Sequence, residues 1–148
     1  MPLQVGDKAP DIKTSEFSLA GLKGQRAVVF FFPKADTPGC TVEACEFRDA
    51  SKTFSKKKAA IIGISPDKAA AHTKFAAKYD LPYTLVADPE HAIAEAYGVW
   101  KEKSMYGRKY MGIERTTFVI DEKGKIAHIF AKVKPAGHAA EVLEALAK

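Results

Sequence analysis

Among 148 residues the sequence holds two cysteines, one tryptophan, four histidines and no long apolar run, and each scarcity closes off a class of protein. Two cysteines cannot staple a disulfide-dependent secreted fold, and a chain of this size buries a core without staples. No stretch approaches the roughly 20 apolar residues of a membrane-spanning helix, so no membrane partner is expected. Residues 1–8, Met-Pro-Leu-Gln-Val-Gly-Asp-Lys, lack a basic region followed by an apolar one, so no export signal is read and a cytoplasmic location is expected. His72, His91, His128 and His138 lie far from the cysteines without paired spacing, which leaves a zinc site short of its four ligands. No glycine-rich nucleotide fingerprint is present. Neither a metal nor a cofactor is expected. Aromatic residues do not interleave with basic ones as a strand-binding groove requires. The net charge of +5 comes from scattered lysines, with one short cluster, Lys56, Lys57 and Lys58, that reads as a solvated helix end. Nucleic acid is not an expected partner.

What remains is ordinary globular composition, 47% apolar and 28% charged, and a single domain over residues 1–148 is expected. Ala27, Val28, Val29, Phe30, Phe31 and Phe32 form an apolar run stopped by Pro33, which suits a buried central strand. A helix is predicted from Pro38 to about Lys57, and Ala59 to Ser65 reads as a second buried strand. Pro66 and Asp67 open an alanine- and lysine-rich helix running to about Tyr79. Residues 83–86 read as a third strand, and residues 90–97 as a short helix stopped by Gly98. Trp100 to Gly112, rich in lysine and arginine with two glycines, reads as a long surface loop. Residues 116–120 and 125–130 flank Asp121, Glu122, Lys123 and Gly124 as an antiparallel hairpin. An amphipathic helix from about Gly137 closes the chain. This order predicts an α/β, thioredoxin-like fold, a central mixed sheet flanked by helices, with residues 1–26 as an amino-terminal extension.

The chemistry concentrates between Pro33 and Cys45. Thr37 then Pro38 resembles a helix start, with Thr37 as cap and Pro38 at the first helical position. Cys40 then lies in the first turn, where unpaired amides and the positive helix end favour a thiolate, the reactive form. Five residues along a helix separate Cα atoms by roughly 8.5 Å, whereas a disulfide spans at most about 7 Å. If Cys40 and Cys45 pair, the first turns of the helix must unwind. The alternative keeps both thiols reduced in a stable helix, as small apolar residues or otherwise.

Pro33, Thr37 and Cys40 match the peroxiredoxin pattern of Pro, three residues, Thr, two residues, Cys. With Cys45, Gly98-Val99-Trp100, Tyr106-Gly107 and Glu114 to Asp121, the chain resembles the bacterioferritin comigratory protein branch, also called peroxiredoxin Q, over nearly its whole length. That resemblance implies a thiol-dependent peroxidase acting on hydrogen peroxide and organic hydroperoxides. Cys40 would attack the peroxide and become a sulfenic acid, and Cys45 would resolve it as an intramolecular disulfide recycled by thioredoxin or a similar dithiol. Arg115 would donate to the peroxide oxygens and hold Cys40 as thiolate, and Thr37 would offer its hydroxyl to the substrate. Pro33 would shield the pocket, and Glu43 would position the arginine. Trp100 and Tyr106 would pack the core or line the face that meets the reductant. The resemblance further implies a monomer. A thioredoxin-like disulfide oxidoreductase, the nearest rival enzyme, carries two residues between its cysteines, where this chain has four.

Overall fold

The computed structural model describes residues 3–14, 17–22 and 24–146, so the amino-terminal section lies partly outside the described residues. A 3-10 turn at Leu19–Leu22 leads to β1 (Arg26–Phe31), α1 (Pro38–Lys56), β2 (Ala59–Ser65), α2 (Ala69–Tyr79), β3 (Thr84–Ala87) and α3 (Ala92–Ala96). Then follow β4 (Trp100–Met105), β5 (Arg108–Ile113), β6 (Thr116–Ile120), β7 (Ile126–Phe130) and α4 (His138–Leu146). Five strands form one sheet in the order β3, β2, β1, β6, β7. β1, β2 and β3 are parallel, and β6 and β7 continue the sheet antiparallel. This is the mixed, helix-flanked thioredoxin-like sheet expected.

β1 owes its unbroken apolar run to its central place, because a strand covered on both faces has no polar side to display. Val28, Phe30 and Phe32 enter one core with residues of α1, α2 and α4. Val29 and Phe31 enter a second core with Ile12, Ala94, Tyr97 and Ile113. Phe30 stacks on Phe47 of α1 at 4.7 Å, and Phe47 meets Phe54 at 5.7 Å, so the lower half of α1 is fixed to the sheet. Gly63 of β2 has no room for a side chain there. A Cβ would stand 2.8 Å from both Leu85 Cδ2 and Phe30 Cζ. The amino-terminal stretch runs beside the sheet, where the Ile126 amide donates to the Asp7 carbonyl at 2.8 Å.

Three expectations need correction. Residues 100–112 are not a loop, since β4 and β5 pair antiparallel in register from Trp100 opposite Ile113 to Met105 opposite Arg108. Tyr106 and Gly107 both have positive φ, 53° and 78°, as the two-residue turn of a tight hairpin requires. The hairpin forms a separate two-stranded sheet whose residues are mostly exposed, so it carries no alternating apolar signal. The second helix begins at Ala69, not Pro66, because the Asp67 carboxylate is engaged with Ala35 and Ser65 instead of capping α2. The third helix begins at Ala92, since His91 is left-handed at φ 51° and the Asp88 carboxylate receives the Ile93 and Ala94 amides.

Candidate active site

Cys40 occupies the third position of α1. Thr37 stands at the cap with extended backbone, and its carbonyl accepts the Thr41 amide at 2.8 Å. Its hydroxyl does not cap the helix; it donates to the Lys34 carbonyl at 2.9 Å. The first-turn amides beside Cys40 are thus left without a side-chain cap, which makes that end of α1 attractive to negative charge. Pro33, half-buried, follows β1 after one residue, Phe32.

Arg115 comes from the other side of the sheet's central pair. β6 runs antiparallel to β1 with Thr116 opposite Phe31, so the residue before it lies where β1 gives way to the loop that carries Thr37. Its guanidinium forks between two acids. Nη2 lies 3.3 Å from Cys40 Sγ and Nη1 lies 2.8 Å from Glu43 Oε1. A hydrogen bond from a cationic donor to sulfur favours the thiolate. Cys40 itself is only 1% exposed. Beside it Gly39 has little room for a side chain, since a Cβ there would sit 3.4 Å from both Arg115 Nη2 and Pro135 Cγ.

Glu43, one turn after Cys40, is also 1% exposed. Oε2 has no hydrogen-bond partner among the described residues. Burial therefore outweighs the attraction of Arg115, and the carboxyl is pushed up from 4.5 to about 7. Burial opposes the charge on Arg115 too, but Glu43 and Cys40 more than offset it and its pKa is raised. One cation thus serves two acids, and when Glu43 holds its proton the guanidinium charge is directed to the sulfur.

A consequence for stability follows. Between pH 4.5 and about 7 the folded protein keeps a proton on Glu43 that the unfolded chain has lost. The contribution of this group is fully present below 4.5 and is lost as the pH rises through about 7, by up to about 3 kcal/mol. Glu43→Gln, which has no such proton to lose, should flatten this part of the profile when urea unfolding is measured from pH 4 to 8. Parallel profiles for the two proteins would count against the assignment.

Cys45 is partly exposed, and both cysteines are free thiols within an unbroken α1. The Tyr83 hydroxyl donates to the Ala44 carbonyl at 2.7 Å, beside Cys45. Trp100 is partly buried and stacks on His91 at 4.0 Å. Tyr106, at the hairpin tip, is 99% exposed and so packs no core. Sequence reasoning missed three neighbours of the site. Lys103, on the misread hairpin, has its pKa lowered by burial and by the nearby charge of Arg115, with Cys40 and Glu114 opposing. Asp67 holds the loop before Cys40 through the Ala35 amide, and Asp36, within that loop, is held by Lys78 and Tyr79. Only the Ser65-Pro66-Asp67 turn carried a signal for any of them, and it reads equally well as a helix start.

The AhpC/TSA family model matches residues 5–129. Peroxiredoxin Bcp of Bacillus subtilis (strain 168) is 46% identical over 151 aligned positions, which span 99% of this chain and 96% of that protein. Among solved structures, peroxiredoxin Q of Xanthomonas campestris superposes with a TM-score of 0.85 at 41% identity, over 88% of this chain and 83% of the other. A cysteine-to-serine variant of the Xylella fastidiosa PrxQ protein gives a TM-score of 0.90 at 32% identity, over 99% and 97%.

Proposed function

Because the chain belongs to the AhpC/TSA family and, within it, to the Bcp or peroxiredoxin Q branch of thiol-dependent peroxidases, we propose that Cys40 is the residue oxidised by peroxide and Cys45 the one that resolves it. The observation that carries this reading is the Arg115 guanidinium forked between the Cys40 sulfur and Glu43 at the start of a helix. In the first step the Cys40 thiolate attacks one peroxide oxygen. The O–O bond breaks, and the leaving hydroxide or alkoxide takes up a proton, with its developing charge met by Arg115 and the first-turn amides. Thr37 is proposed to bind the peroxide. Its hydroxyl caps no amide, which supports that role. Pro33 and the burial of Cys40 would keep bulk water from the sulfur.

In the second step the Cys45 thiolate attacks the sulfenic sulfur, the S–S bond forms, and hydroxide leaves to become water. An external dithiol such as thioredoxin then reduces the disulfide. The partial exposure of Cys45 favours its access. Apart from the reductant, every group in this cycle comes from one chain, so a single-domain monomer would suffice, and a cytoplasmic setting would supply the dithiol.

Titration of the reduced protein with hydrogen peroxide, followed by mass analysis, tests the assignment. One equivalent should convert it to a form lacking two hydrogens, with Cys40 and Cys45 linked in one proteolytic peptide pair. The same samples should differ in amide exchange. Residues 38–45 should lose protection on oxidation, because the intact helix cannot hold the bond. Equal protection over residues 38–50 in the two forms, or a sulfenic acid that persists in the presence of Cys45, would remove Cys45 from the cycle.

A further inference from the structure

Helix α2 has no part in the chemistry above, yet both of its ends reach the same short loop, residues 33–37. Before its first turn, Asp67 Oδ2 accepts the Ala35 amide at 2.7 Å and the Ser65 hydroxyl at 2.7 Å. Ser65 is buried at the end of β2, and its oxygen lies 2.6 Å from His72 Nε2. The hydroxyl proton is directed to Asp67, so the ring nitrogen is the donor of that contact. At the far end, Lys78 Nζ lies 3.0 and 3.2 Å from the two Asp36 carboxylate oxygens, and the Tyr79 hydroxyl donates to Asp36 at 2.9 Å.

The loop needs such holds. Asp36 has φ 62°, a left-handed conformation unfavourable for a residue with a Cβ, and such conformations persist only where the surroundings enforce them. Asp36 immediately precedes Thr37, and Cys40 follows three residues later. Among the described residues the Thr37 hydroxyl is tied only to the Lys34 carbonyl within the same loop, so its position is no better fixed than the loop itself.

We propose that Asp67 is a positioning residue of the peroxidase site, which fixes the Thr37 loop through the Ala35 amide, with the grip of Lys78 and Tyr79 on Asp36 as a second hold. This rests on the peroxidase reading above. A peroxide must be aligned with both the sulfur and its hydrogen-bond donors, whereas an alkylating reagent needs only a reachable thiolate. Misplacement of the loop should therefore slow the first reaction and spare the second.

The test compares two rates at Cys40 in the full chain, oxidation by hydrogen peroxide and alkylation by iodoacetamide, each followed by peptide mass analysis, with Tm measured alongside. Asp67→Ala should lower the peroxide rate roughly 10- to 100-fold and leave the alkylation rate unchanged. Asp67→Asn, whose amide oxygen can accept both hydrogen bonds, should restore most of the peroxide rate. An unaltered peroxide rate in Asp67→Ala, a parallel fall in both rates, or no recovery in Asp67→Asn would overturn the proposal. Should Asp67→Ala fail to fold, the double variant Lys78→Met with Tyr79→Phe decides. A selective fall in its peroxide rate supports the clamp, and a wild-type peroxide rate refutes it. Failure of the underlying peroxidase reading would look different, as wild-type Cys40 left unoxidised by hydrogen peroxide.

Discussion

Replacing Cys40 by serine is expected to abolish peroxide consumption, a loss of more than about a thousandfold, while the protein stays folded. Serine fills nearly the same volume in a site that is 1% exposed, so the packing around α1 should survive. Its hydroxyl is not ionised near neutral pH, and neither the first-turn amides nor Arg115 can make it the nucleophile that a thiolate is. Peroxide consumption with a dithiol supplied in excess, read together with thermal unfolding, checks both halves of the expectation. The variant also separates the enzyme from a redox-dependent chaperone or binding module built on the same fold. Suppression of aggregation by such a module would outlast the substitution.

Arg115→Met should lower the second-order rate of Cys40 oxidation by roughly 100- to 1,000-fold. Its guanidinium is hydrogen-bonded to both Cys40 and Glu43. Without it the thiolate loses its charge-assisted donor, the departing oxygen loses its electrostatic partner, and Glu43 is left buried with no counter-charge, so it holds its proton more firmly. Arg115→Lys keeps the charge but not the planar fork, and one ammonium cannot occupy both positions. It should fall between wild type and Arg115→Met. A rate for Arg115→Met within a few-fold of wild type, measured by competition for hydrogen peroxide, would mean that the guanidinium serves only to hold the two segments together.

Where burial writes itself into composition, the sequence was readable. β1 was found because a strand covered on both faces has to be apolar throughout, and Pro33 marked its end within a residue or two. The start of α1 was readable from Thr37 and Pro38 for the same local reasons that place Cys40 in its first turn. The β4–β5 hairpin was not readable, because a ribbon exposed on its outer residues has no need of apolar alternation. Its one clue was a glycine after Tyr106 between two runs of equal length. Arg115 lies 75 residues from Cys40, and nothing local marks it out from other charges. Family resemblance alone singled it out, and the antiparallel pairing of β6 with β1 brings it to the sulfur. Asp36 and Asp67 were hidden for a further reason. Each is an aspartate in a turn, and turns use aspartate routinely, so only the fold reveals that both serve the same loop.

The unbroken course of α1 also bears on the electrical side of the cycle. If the disulfide and the first turns of the helix exclude one another, whatever steadies those turns opposes oxidation, and each 1.4 kcal/mol so contributed raises the reduction potential of the pair by about 30 mV. Two contacts that would contribute to this voltage hold α1 by groups other than the sulfurs: the Tyr83 hydroxyl on the Ala44 carbonyl and the Gly137 amide on Glu46, at 2.7 and 2.8 Å. Half a helix would then act as a spring that favours the dithiol form once an external dithiol supplies the electrons.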